Sequence, residues 1–267
     1  MLRYVQKHLR HLFPTLLSPS AFNRRLRRLW GAFIVLQDAV ATTLVTAQDH
    51  EVMDGFPIPV AHGARSLHPG WLADIARIGK GGHDRYFYGV RMMLVISSHG
   101  VATGWALAAG NGQERWVAEL LLSPRAGHPR VQGPLHPETH RPKVTPPTEW
   151  MSPAPSCGVA SPKPIMTDSG FRGADWLTHW AEAYGAQGCP KPQQASRAER
   201  RWWSSTRQVV ETTLSHLTES FGLKYPGAHT GWGLLTRVAA KVAAYNLGIV
   251  INRLWGRPDF AFGTLIV

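Results

Sequence analysis

Two apolar runs, Tyr86 to Ile96 (YFYGVRMMLVI) and Val101 to Ala109 (VATGWALAA), limit the folds open to this chain more than any other feature. Both favour extended backbone, and Ser98-His99-Gly100 between them reads as a tight turn. The pair predicts an antiparallel hairpin. A hairpin is marginal alone and needs further strands or helices on its apolar surface. The surrounding sequence predicts both. Pro164 to Asp168 (PIMTD) and residues 185–190 read as short strands. Glu114 to Leu122, Phe171 to Tyr184, Arg200 to Leu223 and Trp232 to Leu254 carry helical periodicity. In Phe171 to Tyr184 the spacing turns Trp176, Leu177 and Trp180 inward. Strands interleaved with helices predict an α/β fold, a mixed sheet flanked by helices.

Upstream of the hairpin the pattern differs. Leu2, Val5, Leu9 and Leu12 share one helical face until Pro14 interrupts it. Ser18-Pro19-Ser20 is a helix-start signal, and residues 21–45 (AFNRRLRRLWGAFIVLQDAVATTLV) read as one long helix. From Val52 to Val60 a short apolar stretch contains Pro57 and Pro59, which allow only an edge or a strand end after Asp54. Residues 61–84 read as a Gly- and His-rich loop around an apolar turn, Trp71 to Ile78. Residues 123–163 are rich in Pro, His, Gly and Ser and read as a long inserted loop. The organisation predicted is a basic helical segment over 1–48 and an α/β domain over 49–267, interrupted at 123–163.

Charge narrows the partner. The 267 residues carry 29 Lys plus Arg against 17 Asp plus Glu, a formal charge of +12. Such an excess in a globular composition points to a polyanion, nucleic acid before anionic membrane. Arg24, Arg25, Arg27 and Arg28 crowd one helix, and residues 1–37 contain no acid at all, a pattern that suits phosphate contact. The longest near-continuous apolar run, Trp30 to Leu36, is too short to span a bilayer, so no membrane partner is expected. Cys157 and Cys189 are the only cysteines; they form neither a disulfide framework nor a CxxC zinc site, and a reducing cytoplasm is the expected compartment.

Three acids stand out as candidates for chemistry. Asp54 and Asp168 each follow a short apolar strand pattern and precede Gly or Ser-Gly, where α/β proteins often carry functional groups. An Asp in such a place is also an ordinary turn residue. Glu211 lies in an amphipathic helix whose apolar positions are Val210, Leu214, Leu217 and Phe221, and its place beside them predicts a carboxylate at the edge of the buried face. Its partner is Arg207 one turn earlier or a metal ion. Three carboxylates without a matching His or Cys set suit a hard cation, Mg²⁺ or Mn²⁺. Other signatures fail: His136-Pro137-Glu138-Thr139-His140 has Pro where a zinc protease needs Glu, and Gly79-Lys80-Gly81-Gly82 lacks the P-loop frame.

The segments DGFPIPVAHGAR around Asp54, RYFYGVRMMLVISSHGVATGWALAAGNGQE, PIMTDSGFRG around Asp168 and RQVVETTLSHLTESFGLKYPGAHT around Glu211 occur in this order. Together they resemble the DDE transposases of bacterial insertion sequences, from about residue 50 to the C-terminus. The resemblance implies an RNase H-like core with Asp54, Asp168 and Glu211 as catalytic, metal-holding acids. It implies Mg²⁺- or Mn²⁺-dependent cutting of double-stranded DNA at element ends, joining of the 3′-hydroxyl to target DNA, a homodimer on DNA and a place at the bacterial nucleoid. Arg207, Arg237 and Lys241 join Arg24, Arg25, Arg27 and Arg28 as candidate DNA contacts. Ser204 and Thr218 stand where the family pattern has Tyr and Lys. A shortened, catalytically impaired copy that only binds DNA is therefore the alternative.

Overall fold

A computed structural model of the chain describes residues 15–45, 50–60, 72–81, 86–126 and 163–265, with short pieces at 7–8 and 10–12. Most of the 123–163 stretch, and most of the amphipathic pattern before Pro14, lie outside the described residues. The sheet is built on β3 (Tyr86–Ser97). One edge of β3 pairs antiparallel with β1 (Glu51–Pro59) from Gly89 to Ser97. The other edge pairs with β4 (Ala102–Ala109) over Val90 to Ile96, as the hairpin pattern predicts. Beyond β4 the same edge takes β2 (Arg77–Lys80), a strand the loop-like composition of 61–84 concealed. On the far side of β1, β5 (Pro164–Thr167) and β6 (Gln187–Pro190) add in parallel. The strand order is thus β4-β3-β1-β5-β6, with β2 prolonging the line of β4.

Both faces of the sheet are covered, which accounts for the near-continuous apolarity of β3. Met92, Leu94 and Ile96 point to one face and Met93 and Val95 to the other, the two-residue alternation of a strand. On the first face α5 (Arg197–Ser215) and α6 (Gly231–Leu254) supply Val210, Leu234, Val238, Val242 and Ile249. On the second, α3 (Glu114–Arg125) and α4 (Ala174–Tyr184) supply Val117, Leu121 and the fully buried Trp180. Each large side chain removed from water here stabilises the fold by about 1.5–3 kcal/mol. By length and composition α6 could cross a membrane, but most of its apolar window is buried within the protein, as expected of a core helix.

The helix expected over 21–45 is two helices. α1 (Pro19–Arg28) starts at Ser18, whose hydroxyl accepts from Ala21 N, and the chain turns at Leu29 before α2 (Trp30–Leu44). α2 packs against the body: Trp30 meets the edge of Trp232, and Gln37 Oε1 accepts a 2.9 Å bond from the buried Trp105 indole. α5 opens with a reciprocal cap between Ser196 and Glu199, then widens into a π turn at His216–Ser220.

The hairpin turn is fastened from below. Gly100 has φ +79°, and a Cβ there would meet the Phe260 ring at 2.6 Å, so only glycine fits. The buried Tyr245 hydroxyl donates to Gly100 O at 2.8 Å and lies 3.0 Å from Thr213 Oγ1. Tyr245→Phe is expected to lower stability by about 1–2 kcal/mol, because the turn carbonyl loses a buried donor. Urea unfolding measures this; a wild-type midpoint would mean that Thr213 Oγ1, 3.5 Å from the same carbonyl, takes over as its donor.

Candidate active site

The site begins where two parallel strands part. β1 and β5 pair only through Glu51 with Ile165 and Val52 with Met166. Two residues further on in that register, Asp54 stands level with Asp168. β1 does not end there, contrary to the strand-end reading of Asp54: it continues through Pro57 to Pro59 because β3 keeps pairing its other edge. The prolines fall where β1 has lost β5, the edge position that tolerates them. Asp168, by contrast, lies just past the end of β5, as expected.

Each carboxylate is aimed by its own backbone. Asp54 Oδ1 accepts from Gly55 N at 2.8 Å, and Asp168 Oδ1 accepts from Gly170 N at 2.8 Å at the head of the 3₁₀ turn Ser169–Phe171. Arg115 clamps that turn from α3, donating to Gly170 O and Arg172 O. Burial pushes the Asp54 carboxyl up from an ordinary 3.8 to about 6; Gly55 N–H and Arg207 oppose the shift, while the negative charges of Asp168 and Glu114 add to it.

Glu114, the first residue of α3, was not singled out from sequence. An acid in a helix's first turn reads as a complement to the helix dipole. In the fold it covers Gly55, where a Cβ would lie 3.4 Å from its side chain, and Arg91 Nη1 donates to its Oε1 at 2.5 Å. Burial raises its pKa, Arg91 opposes, and Asp168 adds to the rise. Asp54, Asp168 and Glu114 therefore share one region of negative potential.

Glu211 does not join them at contact distance. It is exposed rather than set at the buried edge, and its Oε1 accepts from Arg207 Nε at 2.8 Å. The reason is rotational: Thr206, Val210, Thr213 and Leu217 face the core, and Glu211 stands a full helical step round from Val210. Arg207 lies between the groups, since its charge is held by Glu211 and also by Asp54 and Asp168. Among the described residues no three His, Cys, Asp or Glu side chains are gathered closely enough to hold one metal ion.

The candidate DNA contacts divide. Arg24, Arg25 and Arg28 are exposed on α1, and Arg27 is half-buried. Arg237 and Lys241 are bonded to backbone carbonyls. Arg237 Nη1 donates to Pro226 O at 2.7 Å, while Lys241 Nζ donates to Gly222 O at 2.8 Å and also to Phe221 O. They fasten the chain leaving α5 onto α6. Ser204 is exposed, and the Thr218 hydroxyl turns back to Leu214 O at 2.7 Å within its own helix. Comparison with protein-family models, with curated proteins and with solved structures found no match.

Proposed function

We propose that the chain is a DDE transposase with an RNase H-like core, cutting DNA at the ends of an insertion sequence and joining the 3′-hydroxyl to target DNA. The observation that carries this reading is the alignment of Asp54 on the central β1 with Asp168 past the adjacent parallel β5. The strand order β4-β3-β1-β5-β6, with three antiparallel strands followed by two parallel to the first, supports the RNase H-like assignment. So does the position after β6 of the helix that bears Arg207 and Glu211.

The donor set fits a hard divalent ion. Asp54 and Asp168 stand level on neighbouring strands, and a cation would relieve the buried charge of Asp54, whose proton affinity is raised chiefly by burial, with Asp168 and Glu114 adding to the rise. Mg²⁺ or Mn²⁺ would be held by this pair, with Glu211 joining once its side chain leaves Arg207. Bound there, it would stabilise charge developing on the phosphoryl oxygens during in-line displacement. The chain's own groups do the rest. Arg115 fixes the turn that carries Asp168, and Arg91 holds Glu114 beside Asp54. Arg207, released by Glu211, would be placed to meet a strand phosphate. Arg24, Arg25 and Arg28 would follow the duplex outside the site, in a homodimer at the bacterial nucleoid.

One observation favours a second reading, a remnant that binds DNA without cutting it. Thr218 bonds back into its own helix where the family pattern has a lysine, and Glu211 is held away by Arg207. One assay separates the two. Purified protein is expected to nick or join DNA carrying the element's terminal repeats when Mg²⁺ is present, and EDTA is expected to stop it. Specific binding with no cutting in Mg²⁺ or Mn²⁺ would establish the remnant.

A further inference from the structure

α2 is apolar on the side that faces water as well as on the side that packs. Gln37, Val40 and Ala41 set its inner face, with Phe33, Ile34 and Leu44 against the core beside them. The opposite face holds Gly31, Ala32, Val35, Leu36 and Ala39, all exposed, Val35 to 68%. No exposed side chain of α2 carries a charge, and the Thr43 hydroxyl donates within the helix to Ala39 O at 2.8 Å. A helix that is apolar all round belongs inside a structure, and here only one side is inside.

Asp38 makes the same point with charge. It is the one acid of α2 and is half-buried; its Oδ1 is shut from water without a hydrogen-bond partner, and burial pushes the carboxyl up to about 6. Such a group lacks a cation. The chain carries the complement. Arg28 is exposed two residues before α2 begins, about 12–15 Å along the axis from Asp38, too far to reach it within one copy. An antiparallel second α2 brings the two together. A two-fold axis level with Phe33 sets Asp38 opposite Arg28 of the partner subunit and, in the same register, Val35 opposite Gly31 of the partner subunit. The space at Gly31 is open, since a Cβ there would meet nothing within 4 Å. Opposed helix dipoles favour that direction.

A helix about 22 Å long covers less than the roughly 800 Å² per partner of a stable interface, so its surroundings must join. Leu254 and Trp255, 77% and 60% exposed, follow Arg253, whose guanidinium reaches Leu44 O at the end of α2. The antiparallel pairing brings that end towards the exposed Leu29 of the partner subunit. A membrane is a poorer occupant: 15 residues are too few to span one, and Asp38 would meet lipid phosphates of its own sign.

We propose that two copies of this chain associate through the outer face of α2, packed antiparallel about a two-fold axis, with Asp38 of each copy paired to Arg28 of the other. This gives a face to the homodimer of the proposed function. It takes Arg28 from the set facing the duplex and leaves Arg24 and Arg25 to it. The association needs neither DNA nor a metal ion, so it is measurable apart from strand cutting.

Sedimentation equilibrium of the full chain without DNA is expected to give twice the 29.5 kDa of one copy at micromolar concentration. Val35→Asp is expected to weaken association about a hundredfold, because it buries an unpaired charge at the centre of the face. Asp38→Arg and Arg28→Asp should each weaken it and together restore it, the exchange expected of a pair that meets across the interface. Cross-linking reads the register in a chain carrying Cys157→Ser and Cys189→Ser. A mixture of Gly31→Cys and Val35→Cys copies should form a disulfide, and neither alone should. Urea midpoints separate a folded variant from one that has lost its structure. A monomeric wild type overturns the interface, as does a folded Val35→Asp chain that dimerises as well as wild type. So does a chain that dimerises only once residues 1–14 are removed, which would give the face to its own N-terminal segment. Dimers without Mg²⁺-dependent cutting sink the enzyme and keep the interface; cutting by a monomer sinks the interface alone.

Discussion

Asp54→Asn is expected to yield a more stable protein that no longer cuts DNA. The stability half follows from linkage. In the folded chain the Asp54 carboxyl has been pushed from 3.8 to about 6, chiefly by burial. The folded state therefore binds this proton more tightly than the unfolded chain does. Between about pH 4 and pH 6 stability falls as pH rises, and above 6 the full cost of the buried charge is present. Asn keeps an oxygen for Gly55 N–H and carries no charge. It should raise stability by about 2–3 kcal/mol at pH 8, with the gain fading to nothing below about pH 4. Urea titrations at pH 4, 6 and 8 measure this directly. The functional half follows from the same charge. Mg²⁺ should raise the melting temperature of the wild type at pH 8, less so below pH 6 as protons compete, and not at all in the Asn variant. Strand cutting by Asp54→Asn should fall below detection. A variant that is destabilised at pH 8 would make Asp54 a structural acid, and one that still cuts would remove it from the site.

Much of this arrangement was readable in the chain, and the failures share a cause. The hairpin, the β5 strand, α3, α4, α5 and α6 lie where composition and periodicity put them, because each has enough residues to show its period. β2 has four residues, and the one that is buried, Gly79, has no side chain, so no alternation betrays it. The break at Leu29 carries neither Gly nor Pro at the turn itself. Gly55, Pro57 and Pro59 after Asp54 carry the pattern of a strand end. Sequence cannot say that β3 pairs one edge of β1 while β5 abandons the other. Asp54 and Asp168 could be picked out one at a time, but their alignment depends on a parallel register that no local pattern encodes. Glu211 illustrates the limit within a helix. Its neighbours Val210 and Leu214 suggested burial, yet one residue is a rotation of about 100° on an α-helix, enough to carry a side chain from core edge to solvent. Arg237 and Lys241 read as candidate DNA contacts, and only the path of the chain around Gly222 and Pro226 shows the carbonyls they bond.

Asn246→Leu should be strongly damaging, although it replaces a polar side chain by an apolar one of similar size. Asn246 sits fully buried in α6, among Val242, Tyr245 and Ile249. Its amide donates from Nδ2 to Ala102 O at 2.8 Å and accepts at Oδ1 from Ala102 N at 3.0 Å. The side chain thus pairs the first residue of β4 as a neighbouring strand would, at an edge where the pairing with β3 is irregular. Leucine satisfies neither group. A buried N–H and a buried C=O would both lose their partners, at about 1–3 kcal/mol each. The additional apolar contact recovers little where packing is already dense. The expected loss is about 3–5 kcal/mol, read as a fall in the urea midpoint at constant m-value. Asn246→Asp is the useful control: it retains the acceptor for Ala102 N, loses the donor, and buries a charge, so it should be at least as damaging near neutral pH and partly recover in acid as the carboxyl takes up a proton. If Asn246→Leu unfolded at the wild-type midpoint, α6 would be held to the sheet by apolar packing alone, and the amide bridge would contribute nothing to the position of β4.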